Sequence, residues 1–276
     1  MKKRRADEAL FEDMNLESLQ LARALIMEGR VMAGDRKILR ASEPLKPGEV
    51  LRVRGALDAY VSRGAHKLKK ALDVFGIDLK DRVCVDVGAS TGGFTDVMLR
   101  AGAARVYSVD VGYNLLDYRL RSDARVTCME RTNARFIKPE DFDPEPSFGA
   151  TDVSFISLKA VLPAALAVLR GEDRRFVALV KPQFEADRAD VGEKGVVRDP
   201  RVHRQVLQDI ADFIPTIGWR IAGMDFSPIQ GPEGNIEFLI DLRPEDGSGP
   251  IMNNYSIDVT IEQAYDKFFK SSKEGL

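Results

Sequence analysis

The sequence predicts an α/β fold, an open and mostly parallel sheet with helices packed on it, preceded by a smaller α+β module. Three observations carry this. Val83-Cys84-Val85 is a short apolar run of the kind a buried parallel strand presents. It leads into Asp86-Val87-Gly88-Ala89-Ser90-Thr91-Gly92-Gly93-Phe94, a glycine-rich turn with a helix start over residues 94–99. Strand-like runs then recur at residues 106–110, 126–129, 148–153 and 176–180 with helical stretches among them, the pattern of βαβ units.

The first 55 residues read as a separate module. Lys2-Lys3-Arg4-Arg5 opens it, and Ser18 is a plausible helix N-cap. Leu21, Ala22, Leu25 and Ile26 then follow helical spacing until Gly29. Val31-Met32 and the later Val50-Leu51 and Val53 suggest short strands around a turn at Gly34-Asp35. Arg23 and Arg30 are among several scattered basic residues. Residues 1–55 hold twelve Lys/Arg against nine Asp/Glu, whereas the whole chain of 276 residues carries a formal charge of -2. Any nucleic-acid surface is therefore local; Arg4, Arg5, Arg23 and Arg30 are its candidates here, and a solvated face is the alternative. Residues 56–60 form a connector.

Composition excludes other classes. Cys84 and Cys128 make no disulfide scaffold and have no zinc-spaced neighbours, and His66 and His203 are the only histidines, so no metal site is expected. There is no run of 18 apolar residues and no apolar signal core, which points to a cytoplasmic protein away from membranes.

The second domain is expected over residues 61–245. Its first helix places Leu68, Leu72 and Phe75 inward, with Lys67 beside that face. In the turn, Gly88, Gly92 and Gly93 fall at i, i+4 and i+5, not at the dinucleotide spacing, and no Gly-Lys-Ser/Thr follows. Such a turn fits S-adenosylmethionine (SAM) better than NAD or ATP, with an ordinary tight α/β turn as the alternative. Asp86, Gly88, Ala89, Ser90, Gly92, Gly93 and Phe94 are the cofactor candidates. Asp110, 24 positions after Asp86, can accept from a ribose diol, which holds for NAD and SAM alike. Asn133 is a candidate for the adenine, or plain turn chemistry. A fourth strand over 148–153 puts Asp152 near its end, and the fifth is followed by Lys181-Pro182. Helices are expected at 158–169 and 201–214, a strand at 219–226, and a charged loop at 192–200 that can cover a site. Glu237 interrupts an apolar run, either on an outer face or held by a specific partner. Residues 246–276 form a C-terminal extension whose last helix, over 257–269, is expected to be loosely held.

Ligands of open parallel sheets lie beyond the carboxyl ends of the strands. Asp86, Asp110, Asp152 and Lys181 are all predicted there. Asp152-Val153-Ser154-Phe155 lacks the proline pair usual for amino-group methylation of bases, and neither cysteine is placed as a thiolate nucleophile. A lysine with carboxylates suits an alcohol such as a ribose 2′-hydroxyl, whose proton must be guided away as the O–C bond forms. Lys181 is the candidate contact to that oxygen, held by Asp152 and Glu237, and Lys67 can bind on the substrate side. Carboxylates favour a charged lysine, which cannot act as base. Either Lys181 orients the hydroxyl while charged, or a closed site lowers its pKa; the residues leave both open.

Five strings carry a family resemblance: Tyr60-Val61-Ser62-Arg63-Gly64, Asp86 through Asp96, Thr151-Asp152-Val153-Ser154-Phe155-Ile156-Ser157, Val180-Lys181-Pro182-Gln183-Phe184-Glu185 and Asn235-Ile236-Glu237-Phe238. Over residues 60–240 the chain resembles the bacterial hemolysin-A/TlyA-type ribosomal RNA 2′-O-methyltransferases, which join an S4-like RNA-binding module to an FtsJ-like methyltransferase domain. The resemblance implies a Rossmann-like, seven-stranded mixed sheet with an antiparallel last strand. It implies SAM as cofactor, cytidine 2′-hydroxyls of ribosomal RNA in 30S or 50S particles as substrate, and a Lys-Asp-Lys-Glu tetrad at Lys67, Asp152, Lys181 and Glu237. Arg63 and Lys67 join the RNA-contact candidates. Two departures are Met32-Ala33-Gly34-Asp35 in place of the usual Val-Asn-Gly hairpin, and Ala65 in place of a second glycine after Arg63-Gly64. The rivals are a SAM enzyme acting on another RNA and a non-catalytic S4-type ribosome-assembly protein.

Overall fold

A computed structural model describes residues 4–14, 16, 19–27, 29–46, 48–54, 60–245 and 255–270. Lys2, Lys3, the Ser18 cap and the connector up to residue 59 lie outside the described residues. The chain divides into two compact units, Met1–Ala59 and Tyr60–Leu276.

In the first unit, α1 (Ala6–Asp13) packs on α2 (Leu19–Met27). The strands β1 (Val31–Ala33), β2 (Arg36–Lys37) and β3 (Leu51–Val53) form an antiparallel sheet in the order β2-β1-β3. Ala6, Ala9, Leu10, Leu25, Ile26, Val31 and Ile38 make its core. Helix α1 has no counterpart in the sequence reading. Four of its eight residues are acidic, so its short inward stripe of Ala6, Ala9 and Leu10 is faint against the charge.

The second unit begins with α3 (Ala65–Val74), β4 (Val83–Val87), α4 (Gly93–Arg100), β5 (Arg105–Val109), α5 (Tyr118–Arg121) and β6 (Val126–Met129). It continues with β7 (Phe148–Thr151), α6 (Leu158–Ala167), β8 (Arg175–Val180), α7 (Pro182–Glu185) and α8 (Pro200–Phe213). It closes with β9 (Trp219–Phe226), β10 (Phe238–Pro244) and α9 (Ile257–Tyr265). These strands form one seven-stranded sheet in the order β6-β5-β4-β7-β8-β10-β9. The pairs from β6 to β8 are parallel, and β10 runs antiparallel to both neighbours. This is the mixed sheet the sequence led us to expect. Strand order reverses beside β4, which has β5 on one side and β7 on the other, so a crevice opens at their carboxyl ends.

Alternation along the strands builds a core on each face. Val85, Val87, Phe176, Val180 and Ile240 pack with α6 and α8 residues such as Leu162 and Leu207. Cys84, Phe148, Leu179 and Leu239 pack with Leu68 of α3 and Phe94 and Met98 of α4. Cys84 and Cys128 lie on strands as expected, free and unpaired with each other.

Strand β10 starts at Phe238; just ahead of it the Asn235 side chain accepts from Val197 N–H through Oδ1 and donates to the Gly195 carbonyl through Nδ2. Two expectations are corrected. Strand β7 ends at Thr151, two residues early, because the chain turns at Phe155, whose φ is 63°. The last helix is not loosely held. Ile261 and Ala264 are buried, and the Tyr265 hydroxyl donates to the Arg198 carbonyl at 2.6 Å while lying 3.2 Å from His203 Nδ1. Among the described residues, no helix is long and apolar enough to cross a membrane.

Candidate active site

Four strand ends meet at the crevice. Gly88, Asp110, Asp152 and Lys181 are the residues immediately following β4, β5, β7 and β8, and Glu237 immediately precedes β10. Because Phe238 pairs with Val180, the start of β10 lies beside the end of β8, which brings Glu237 to the same edge as Lys181. Lys67 arrives from α3.

The four predicted chemical residues form one cluster. Lys67 Nζ lies 2.8 Å from Glu237 Oε2 and donates to Asp152 Oδ2 at 3.0 Å. Lys181 Nζ lies 2.5 Å from Asp152 Oδ1 and donates to Ser154 Oγ at 2.8 Å. Both lysines and Glu237 are buried, Glu237 to 2% exposure. Burial alone would depress the Lys67 ammonium, but Asp152 and Glu237 outweigh it and hold its pKa above the usual lysine value. Burial pushes the Glu237 carboxyl up, opposed by Lys67. Two ammonium groups and two carboxylates thus share a site with partial access to water.

The backbone around the cluster is braced. Lys70, one turn beyond Lys67 on α3, donates to Asp225 Oδ1 and to the Phe226 carbonyl, both at 2.7 Å, with its Nζ 3.7 Å from the Phe226 ring centroid. The next residue, Ser227, donates its N–H to the Glu237 carbonyl. At the far end of α3, Arg175 donates to the Phe75 carbonyl and grips Asp241 in a bidentate pair through Nε and Nη2. The Lys67 and Glu237 backbones are therefore tied to the same strand edge.

Two adjoining cavities open here. The first, about 250 Å³, is bounded by Ser62–Gly64, Lys67, Asp86, the glycine turn, Asp152, Ser154, Lys181 and Glu237. The second, about 360 Å³, has apolar walls including Val109, Val111, Leu115, Ile156 and Val161, with Asp110 and Asn133 as polar groups. Gly88, Ser90, Asp152 and Ser154 line both.

The cofactor candidates divide by role. Asp86 is fully buried. Its Oδ2 accepts from the N–H and hydroxyl of Thr95, while its buried Oδ1 has no hydrogen-bond partner among the described residues. Burial pushes this carboxyl up to about 7 against the Thr95 bonds. Asp110 accepts from Ser90 N–H at 2.8 Å and Gly112 N–H at 2.7 Å, one bond to each oxygen. It holds both turns and keeps further acceptor capacity toward the second cavity. Gly88 has φ of 86°, and a Cβ there would lie 2.9 Å from Val153 Cγ1. Ala89, Ser90, Gly93 and Phe94 line the first cavity. Gly92 lines neither cavity. A side chain on it would run into Leu120 and Leu116, so packing and a φ of 97° account for this glycine. Asn133 lines the second cavity, but its Oδ1 already accepts from Arg135 N–H.

These residues fit SAM. Asp86, which borders the first cavity and whose buried Oδ1 has no hydrogen-bond partner among the described residues, suits a cationic ligand, and an apolar slot with a diol acceptor at its edge suits an adenosine. Among the described residues, no group of three or more His, Cys, Asp or Glu side chains is placed to hold a metal ion.

The predicted RNA-contact arginines are engaged within their own unit. Arg5 and Arg23 both bind Asp7, which is 0% exposed. They outweigh its burial and hold its carboxyl down to about 2. Arg4 pairs with Glu12 and Asp13, and Arg30 donates to the Arg54 carbonyl. Each of Arg4, Arg5 and Arg23 stays about half exposed, so N–H groups remain for a phosphate. In the second unit Arg63 lines the first cavity and donates to the Gln230 carbonyl at 2.6 Å.

Two site residues escaped the sequence reading. Ser154 binds Lys181. Phe155 is 90% exposed, packs 5.1 Å from the Phe184 ring, and lines the second cavity in a left-handed backbone conformation that a bulky residue rarely takes. An exposed aromatic beside a strained turn is invisible in periodicity. Only its position three residues after Asp152 hinted at it.

The sequence matches the FtsJ-like methyltransferase family over residues 60–243. It is 45% identical to YqxC of Bacillus subtilis, named as a candidate rRNA methyltransferase, over 100% of this chain and 98% of that one. It is 47% identical to the 16S/23S rRNA (cytidine-2′-O)-methyltransferase TlyA of Mycobacterium tuberculosis, over 68% of this chain and 69% of the relative. Among solved structures, a protein from Streptococcus thermophilus designated a candidate hemolysin superposes with a TM-score of 0.77 at 43% identity, covering 99% of both chains.

Proposed function

The chain belongs to the FtsJ-like methyltransferase family, and on that footing we propose that it transfers a methyl group from SAM to a ribose 2′-hydroxyl, that of a cytidine in ribosomal RNA. The observation that carries this reading is the Lys67–Asp152–Lys181–Glu237 cluster, which lines the first cavity and borders the second through Asp152. The names of the curated relatives support the RNA substrate and the cytidine 2′-oxygen.

When bound, SAM supplies a methyl group already activated on a sulfonium. Asp86, Asp110 and the Gly88–Ser90 turn would hold it. The protein's own task is to orient the acceptor hydroxyl and manage its proton. Lys181, charged between Asp152 and Ser154, offers its remaining N–H to the acceptor oxygen and stabilises negative charge as the proton leaves. Asp152 is the carboxylate available to receive that proton. Lys67 and Glu237 fix Asp152 from the other side. This favours the charged, orienting role for Lys181 over the free-base role. Phe155 offers a face on which a nucleobase can stack. The first unit, with Arg4, Arg5, Arg23 and Arg30, serves as an S4-like RNA-holding module, and the protein acts in the cytoplasm on ribosomal particles.

The test is incubation with labelled SAM and unmodified 30S and 50S particles, followed by mass spectrometry of the digested RNA, with Lys181→Ala as control. We expect 2′-O-methylcytidine from one or both particles, only with Lys181 intact. A base-methylated product would overturn the alcohol-acceptor reading. SAM binding without transfer to either particle would favour another RNA or the non-catalytic assembly role.

A further inference from the structure

We propose that Ser154 is a positioning residue for Lys181, one whose hydroxyl fixes where the ammonium stands on the wall of the first cavity. The inference rests on the function proposed above. An ammonium on a long, flexible stem has three N–H donors and four side-chain torsions to immobilise. Asp152 anchors Lys181 from one direction at 2.5 Å, and a single anchor leaves the nitrogen free to swing about it. Ser154 Oγ supplies a second anchor at 2.8 Å. Two anchors triangulate the nitrogen and leave one N–H direction for an acceptor oxygen.

The placement of Ser154 supports this role. It lines both cavities, as Asp152 does, so it stands where cofactor and acceptor must meet. The following residue, Phe155, is held at a φ of 63°. A non-glycine residue is kept in that region only where its surroundings impose it, and such strain gathers at functional sites. Without the hydroxyl, the ammonium keeps its pairing with the carboxylate but swings about it, and the N–H directed at the acceptor oxygen loses its aim.

The test uses the full chain with Ser154→Ala and Ser154→Thr. Three quantities are read: SAM affinity by calorimetry, the single-turnover rate of methyl transfer to unmodified particles at saturation, and the NMR signal of isotope-labelled Lys181 in the protein alone, assigned with Lys181→Arg. In Ser154→Ala we expect transfer to fall tenfold or more, roughly what a misplacement on the order of 1 Å produces. SAM affinity should stay within about twofold, the Lys181 signal should shift, and Ser154→Thr should restore rate and signal together. Transfer in Ser154→Ala within about twofold of the unsubstituted protein, or a threonine variant no better than the alanine variant, would overturn the inference. If the unsubstituted protein methylates neither particle, the functional reading fails separately. The Lys181 signal then decides alone: a shift restored by threonine upholds the anchor, and an unmoved signal removes it.

Discussion

Lys67→Met tests whether the buried cluster is held by compensation of charge. The substitution keeps an unbranched stem but removes the ammonium 2.8 Å from Glu237 and 3.0 Å from Asp152. Asp152 retains Lys181, whereas Glu237, 2% exposed, loses its closest cation. Stripping a buried carboxylate of its partner costs about 3–5 kcal/mol when the charge must stay. Protonation sets a ceiling, because Glu237 can take up a proton instead. At pH 7 that costs less than about 3.4 kcal/mol, the figure for the ordinary glutamate value of 4.5, because burial already raises this carboxyl; at pH 5 it costs less than about 0.7 kcal/mol. The sign follows from proton counting. With its folded pKa raised, Glu237 binds more protons in the folded state, so stability is favoured below 4.5 and lost as pH rises. Lys67→Met should therefore lose up to about 3 kcal/mol at pH 7 and well under about 1 kcal/mol at pH 5 relative to the unsubstituted protein. Adding Glu237→Gln should recover most of the loss at pH 7 and flatten its pH dependence. Trp219, the single tryptophan, lies on β9 of the second unit, so its fluorescence during urea unfolding reports the right domain. An equal loss at both pH values, or no recovery in the double variant, would refute the compensation.

Other perturbations have equally specific outcomes. Gly88→Ala forces a side chain onto Val153 at a φ of 86°, and calorimetry should show SAM binding weakened more than about tenfold, with about 2 kcal/mol lost in stability. His203 is buried and held down to about 4 against 6.5, so the unfolded chain binds more protons between those values. Stability should fall by about 3 kcal/mol on acidification from pH 6.5 to 4, and urea titrations of His203→Gln should lack that component. Phe155→Gly removes a strained, exposed ring; the thermal midpoint should rise by the equivalent of about 1 kcal/mol while the transfer rate to RNA falls.

What could be read in advance follows the range of the physics. Strands β4 to β8 announce themselves through short apolar runs, and the glycine turn through composition, because both are local. Asp152 and Lys181 were legible through position at strand ends, and family resemblance joined Lys67 and Glu237 to them as a set; spacing alone offered only four charged residues. The Asp7 clamp on Arg5 and Arg23 was hidden, since a buried aspartate in an acidic helix reads as one more surface charge. The same holds for α9, whose anchorage depends on Tyr265 finding His203 and Arg198 some sixty residues away in the chain. Gly92 was counted with the ligand turn when its neighbours Leu116 and Leu120 are what exclude a side chain.

The Lys67–Asp152–Lys181–Glu237 cluster links two positive and two negative groups through direct ion pairs. At distances beyond a Debye length it is electrically silent, so it adds little to the pull on a polyanion. On the function proposed above, attraction of RNA falls to exposed arginines elsewhere, where counterions are displaced on binding. Raising the salt concentration should accordingly weaken association steeply while leaving the rate of the committed complex almost unchanged. On that proposal, holding the substrate and reacting with it belong to electrostatically separate groups of one chain.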